Sequence, residues 1–449
     1  MEKFEGLSHL FVTFFLFIYA HFMVVPAITD VTMSALCPGE DECSLAIYLT
    51  GFQQAITGLG TLVMMPLIGI LSDEYGRKAL LTLPMILSIF PPVILGYSRT
   101  KTFFYAYYVL KTLTAMVCEG SVHCLALAYV ADNTSDSQRG SAFGILSGVG
   151  SAAFVCGTLT ARFLSTPTTF QAAAFVAVLA AVYMRAFLSE SVSDGDASPL
   201  LVPKRSPDII RSSVDSSKKT QLFKRIPSVE DILCLLNSSL TFSQAAIVAF
   251  FNSFGEGSIH ASLMYYLKAR FHFNKDQFSE LMLISGVAGT ISQLLLMPIL
   301  TPVIGEEKLL SIGLFVSCTN MFLYSISWSF WVSIIATKLA CFFASFNCLT
   351  IFCPCFGNSL CVPYVVSVFS VFVVFAPPCL RSIASKQVGP NEQGKAQGCI
   401  SGICSFANIV SPLAFTPLTA LFLSEGAPFH FPGFSIMCIG FVSVRTFTI

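Results

Sequence analysis

Charge is what this chain has least of. Only 11% of its 449 residues are Asp, Glu, Lys or Arg, and the two signs cancel at 25 each. Soluble domains carry about a quarter charged residues, so a water-soluble class is excluded. A net charge of zero leaves bulk electrostatics with no partner to favour, nucleic acid included. Tryptophan is scarce, at two residues against 43 phenylalanines, which suits apolar helix faces and says little about a pocket. No phosphate loop, metal-ligand cluster or nucleophile-base constellation can be found, so no enzyme, metal or cofactor is expected.

What is present is hydrocarbon. Hydrophobic residues make up 54% of the chain, and apolar runs recur from Leu10–Met33 to Phe434–Ile449. A membrane-crossing helix needs about 20 such residues, and about twelve or thirteen runs qualify, with the count ambiguous after Trp328. The reading is an all-α integral multi-pass membrane protein. Placing the N-terminus in the cytosol puts Arg77, Lys78, Arg139, the cluster from Lys204 to Arg225, Lys308, Arg381, Lys386 and Lys395 in cytosolic loops, as the positive-inside rule asks. Leu10–Met33 is too long for a cleavable signal core. Most of the sixteen cysteines fall inside spans, where Cys serves as a small apolar residue; Cys37 and Cys43, in a non-cytosolic loop, are placed for a disulfide.

Two halves are expected. Residues 1–189 hold six spans, residues 190–232 form a Ser-, Asp-, Lys- and Pro-rich cytosolic linker with too little apolar surface to fold alone, and residues 233–449 form the second half. Within the linker, Asp196, Leu200 and Leu201 have the form of an acidic dileucine signal for a sorting adaptor. That suits an endosomal or vacuolar membrane as well as the plasma membrane; a plain solvated loop is the alternative. Gly140–Ala153 aligns with Gly394–Ala407 at seven identical positions of fourteen, which points to a duplicated six-helix unit. Its small residues, Gly144 and Gly148 among them, are spaced for close helix packing in lipid.

Gly69-Ile-Leu-Ser-Asp73-Glu-Tyr-Gly76-Arg77-Lys78 is the most specific string. Gly69 lets a helix end approach a neighbour and Gly76 permits a conformation closed to other residues; Asp73 can pair with cations or helix N-termini. The string resembles the GxLxDxxGRK loop of the major facilitator superfamily. Tyr129-Val-Ala-Asp132, Arg139 and Phe143-Gly144 are similar to the tetracycline/proton antiporters and hippocampus-abundant-transcript-like proteins within it. That resemblance implies two six-helix halves with pseudo-two-fold symmetry, a gate locked by Asp73 with Arg139 joining its charge network, and transport of a small organic solute. The antiporter signature of the fifth span is degenerate: Gly157 is kept, but Thr158 replaces proline, and Ala161 and Arg162 replace glycines. Residues 332–361 part Phe330-Trp331 from Val362-Pro363-Tyr364; the resemblance implies that these two strings are adjacent in relatives, so the segment reads as an insertion by alternative splicing or from an error in the gene model.

Ionisable side chains within spans cost several kcal/mol each unless they pair, protonate or face a cavity, and so mark substrate or ion paths. Asp30 lies on the first span; Glu119 and His123 in Glu119-Gly-Ser-Val-His123 on the fourth; Glu256 and His260 in Glu256-Gly-Ser-Ile-His260 on the seventh. Residues four apart share a helix face, so each acid is expected to meet its histidine. The leading expectation is a proton-coupled transporter with these groups as the coupling site. The alternatives are structural hydrogen bonds in these places, and a receptor, sorting protein or transport-impaired splice form on a transporter fold.

Overall fold

The computed structural model describes residues 7–36, 44–190, 235–236, 239–271, 275–326, 371–423, 427–429 and 431–448. Cys37, Cys43, the linker with Asp196, Leu200 and Leu201, and the segment 332–361 lie outside the described residues. Helices are the one open-ended way to satisfy backbone polar groups in hydrocarbon. Nine helices among the described residues are long and apolar enough to cross a membrane, with shorter apolar helices at Val371–Ser385 and Phe434–Phe447.

In the first half, α1 (Ser8–Leu36) and α2 (Ser44–Tyr75) are followed by α3 (Arg77–Leu87) and α4 (Phe90–Tyr97), which share one span. That span bends because Pro91 and Pro92 cannot donate to the preceding turn. The fourth span likewise divides into α5 (Lys101–Cys118) and α6 (Ser121–Asp132), while α7 (Asp136–Phe163) and α8 (Thr166–Phe187) are continuous. The second half opens with α9 (Leu240–Phe271). A span follows in which α10 (Lys275–Ile291) passes through a π-turn, Ser292–Leu296, into α11 (Met297–Ile304). Next come α12 (Glu306–Ile326), α13 (Ala376–Ser385), α14 (Gln393–Leu423) and α15 (Phe434–Thr448).

Each half has its own core. Leu10, Phe14, Met85, Leu125, Phe143 and Met184 pack together in the first, and Phe242, Ala249, Leu380, Ala396 and Ile400 in the second. Phe175, Val303 and Leu413 are 70%, 79% and 73% exposed, an outward apolar surface that suits lipid rather than water. The halves meet chiefly along α2 against α14 and α7 against α10, α11 and α13. Glycine makes that approach possible. A side chain at Gly69 would strike the Gly394 carbonyl and the Gly398 Cα, and one at Gly144 or Gly148 would strike Met297 or Leu294. Gly157 instead seats α7 on the α1 backbone at Tyr19 and Met23.

Candidate functional site

The GxLxDxxGRK string closes on itself before it reaches the other half. Gly76 has φ 90° and ψ 154°, which turns the chain sharply between α2 and α3, and the Glu190 carboxylate sits over it and accepts from the Lys78 N–H at 3.1 Å. Arg77 is 1% exposed. Its guanidinium donates to Asp73 at 2.5 Å, to Asp132 at 2.9 Å and to Ser72 Oγ. A buried arginine flanked by two carboxylates satisfies the pairing that its desolvation demands. Asp73 keeps both oxygens for the second half as well: Oδ1 accepts from the Gly394 N–H at 2.9 Å and Oδ2 from the Lys395 N–H at 2.8 Å. These amides lie in the first turn of α14, where unpaired N–H groups attract an anion.

The second half returns the contact with charges exchanged. Gly305 repeats the geometry of Gly76, φ 90° and ψ 154°, but the residue after it is Glu306 rather than arginine. Glu306 accepts from the Gly140 N–H of α7 at 3.2 Å and pairs with Lys386 at 2.9 Å. Gly140 and Gly394 are twins of the sequence repeat, and so, at the same spacing of 254 residues, are Asp132 and Lys386. Thus Arg77 with Asp132 in one half answers Glu306 with Lys386 in the other, and each half's acid caps the other's helix. Arg139 donates to the Ala131 carbonyl at 3.2 Å and across the seam to the Ser385 carbonyl at 3.4 Å, and pairs with Asp136 at 2.8 Å. Its twin Gln393 donates to the same Ser385 carbonyl at 3.1 Å. Arg139 therefore sits beside the Asp73 network and not within it.

Above this clamp, the two acid–histidine strings depart from expectation. Glu119 caps the end of α5 with extended backbone, φ −68° and ψ 120°, and Gly120 is left-handed at φ 81°. Glu119 and His123 are consequently on different helices; Glu119 is exposed, while His123 is half-buried with its ring 5.6 Å from Phe14. The shared face assumed for them is broken by the one residue type that visits that region cheaply. In the second string the helix is unbroken, but Glu256 accepts from Asn252, one turn back, at 3.0 Å. The His260 side chain lies outside the described residues. Ser258 packs between helices, sharing a hydrogen bond of 2.6 Å with Ser411 of α14. Asp30 is exposed on α1.

Sequence reasoning missed four groups. Glu306 and Lys386 break the motif's letters while keeping its shape. Gln293, in the π-turn, accepts from Ser151 of α7 at 2.9 Å and donates to the Val374 carbonyl at 3.2 Å, tying three spans together. Arg381, assigned above to a cytosolic loop, is corrected to a helical residue: α13 carries it one turn inside Ser385, where it donates to Gln397 and Ser401 of α14 at 3.2 and 3.1 Å. Applying the repeat spacing to Asp132 and Arg139 would have found Lys386 and Gln393; the other three leave no pattern.

This geometry of two clamped six-helix bundles agrees with the sequence comparisons: residues 10–412 match the Major Facilitator Superfamily. The chain belongs to that superfamily. Human Hippocampus abundant transcript-like protein 1 is 21% identical over 368 residues, covering 82% of this chain and 63% of that protein. The chain therefore spans under two thirds of that relative's length. Multidrug resistance protein 2 of Bacillus subtilis is 23% identical over 394 residues, covering 87% and 84%. Among solved structures, the human organic anion transporter MFSD10 superposes with a TM-score of 0.72 at 17% identity, covering 100% of this chain and 99% of that one. A bacterial homologue of the iron transporter ferroportin in its outward-facing state superposes at 0.67 and 13% identity, covering 99% and 98%. At such identities the fold is what is shared. This superfamily member is an integral multi-pass membrane protein.

Proposed function

We propose that the chain is a secondary transporter that moves a small organic solute by alternating access, coupled to protons. The observation that carries this reading is the reciprocal clamp. Its caps and ion pairs are dispersed over both halves, face one end only, and are reversible without covalent chemistry, which is what a gate between two rocking bundles requires. With the motif end in the cytosol, the structure corresponds to the state closed on that side. Opening must release Asp73 from α14 and Glu306 from α7 together.

Coupling to protons is supported by Glu256. It is half-buried in α9, the helix that opens the second half, and one amide is its described hydrogen-bond partner. No cation lies within ion-pair distance of it among the described residues, which leaves the carboxyl free to carry a proton between two sides of a membrane. Glu119, exposed at a helix break, is the second candidate, followed by Asp30; His123 serves as a neighbour rather than as Glu119's partner.

Purified full chain in proteoliposomes, screened for solute uptake under an imposed pH gradient, tests the reading. Proton-driven uptake that drops at least about tenfold in Glu256→Gln, with solute exchange retained, is the expected result. Gradient-driven uptake equal to wild type in both Glu256→Gln and Glu119→Gln would sink the coupling claim.

A further inference from the structure

The two buried cations at the seam, Arg77 and Arg139, and the exposed Lys386 each have a carboxylate, whereas Lys111 of α5, half-buried like Arg381, has no described one. Arg77 has Asp73 and Asp132, Arg139 has Asp136, and Lys386 has Glu306. Arg381 has none within 4.0 Å among the described residues, and residues 327–370, which precede α13, contain no Asp or Glu at all. A guanidinium keeps its charge under any condition a protein meets, so Arg381 carries into the membrane-spanning region a positive charge that no carboxylate among the described residues pairs with. Such a charge is costly to hold in hydrocarbon unless water or a counter-ion reaches it.

Its surroundings fix its direction without neutralising it. Nη1 donates to Gln397 Oε1 and Ser401 Oγ, at 3.2 and 3.1 Å, and the Gln397 amide returns to the Arg381 carbonyl at 3.3 Å. The fork's other edge, Nη2 with Nε, makes no described hydrogen bond, and the side chain is only half-buried. The guanidinium bears electrostatically on His123 and Cys124 of α6 and on Cys404 of α14, which Glu256 reaches in turn. Arg381 thus stands between the two halves, one turn above the clamp and on the side towards Glu256. A planar fork with one edge anchored and the other free matches two oxygens of a carboxylate, sulfonate or phosphate.

We propose that Arg381 is the anchor of an anion subsite, and that the transported solute is an organic anion whose acidic group docks on it. This rests on the transport reading above and names the substrate class. Gln397 and Ser401 are positioning residues, holding Nη1 so that the free edge is presented.

The test uses the full chain in detergent, read by thermal unfolding, with benzoate, benzenesulfonate and phenyl phosphate against the neutral probes benzamide and benzyl alcohol. Wild type is expected to be stabilised by at least one anion over the neutral probes. The apparent affinity should fall at least about tenfold in Arg381→Gln and by less in Arg381→Lys, which keeps the charge and loses the fork. Should Arg381→Gln fail to fold, Ser401→Asp supplies an internal carboxylate beside the guanidinium and should abolish anion binding in a chain that still melts cooperatively. No anion stabilising wild type above the neutral probes overturns the proposal, as does equal anion affinity in wild type and the variants. Uptake in proteoliposomes separates the two readings: Arg381-dependent anion binding without transport fails the transporter alone, whereas transport of neutral or cationic solutes indifferent to Arg381→Gln fails the anion subsite alone.

Discussion

At the level of single residues, the clamp concentrates its energy in Asp73. It accepts from a guanidinium and from two amides of α14, and an asparagine keeps one acceptor of the two oxygens. Hydrogen bonds to charged groups contribute about 1.5–3 kcal/mol each, so Asp73→Asn is expected to shift the population towards the open motif end by roughly tenfold or more. Spin labels on Glu74→Cys and Asn391→Cys, both exposed, would read this as a longer distance distribution in Asp73→Asn than in the parent pair. Gly76 and Gly305 provide a matched comparison. Both sit at φ 90°, where another side chain costs about 1–3 kcal/mol, but a Cβ at Gly76 also meets the Glu190 carboxylate while one at Gly305 meets nothing within 4 Å. Gly76→Ala should therefore lower the unfolding temperature more than Gly305→Ala, and Glu190→Ala should narrow the difference. Equal losses in the two glycine variants would show that Glu190 contributes nothing there.

Among the elements, the decisive pairs are α2 with α14 and α7 with α10, α11 and α13. Glu306 performs two tasks, capping α7 and pairing with Lys386, and substitutions separate them. Glu306→Gln keeps an oxygen for the Gly140 amide and loses the charge attraction; Glu306→Lys with Lys386→Glu restores the ion pair with nothing to accept from Gly140. If the cap is the larger part, Glu306→Gln retains more of the closed population, measured with the same spin labels, than the exchanged pair does. These elements also show what a sequence can display. The loop from Gly69 to Lys78 is readable because its turn, its buried arginine and its capping acid all lie within ten contiguous residues. Spans are readable because each needs only an uninterrupted apolar run. The break between α5 and α6 is not, since a glycine inside an apolar run is compatible with a straight helix, and only packing against Met65 and the neighbouring spans selects the left-handed Gly120. Arg381 was misplaced for a similar reason: counting cations assigns them to loops, and nothing local distinguishes a loop arginine from one carried into the membrane beside Gln397 and Ser401.

For the whole molecule, the two caps belong to one rigid-body event. Asp73→Asn and Glu306→Gln lie in opposite halves and share no described partner, so their effects on the open–closed free energy should add to within about 0.5 kcal/mol. A double variant no more open than the worse single one would mean that the halves do not move as units. The exchange of charge between Arg77–Asp132 and Glu306–Lys386 has another side. Each bundle presents a lone acid and receives one on a glycine amide, so the recognition between bundles is written on their faces rather than in the chain that joins them. Two separately expressed polypeptides, divided anywhere within residues 191–234, should find one another in a membrane and co-purify through a tag on either one, and Asp73→Asn with Glu306→Gln should loosen that partnership before it unfolds either piece.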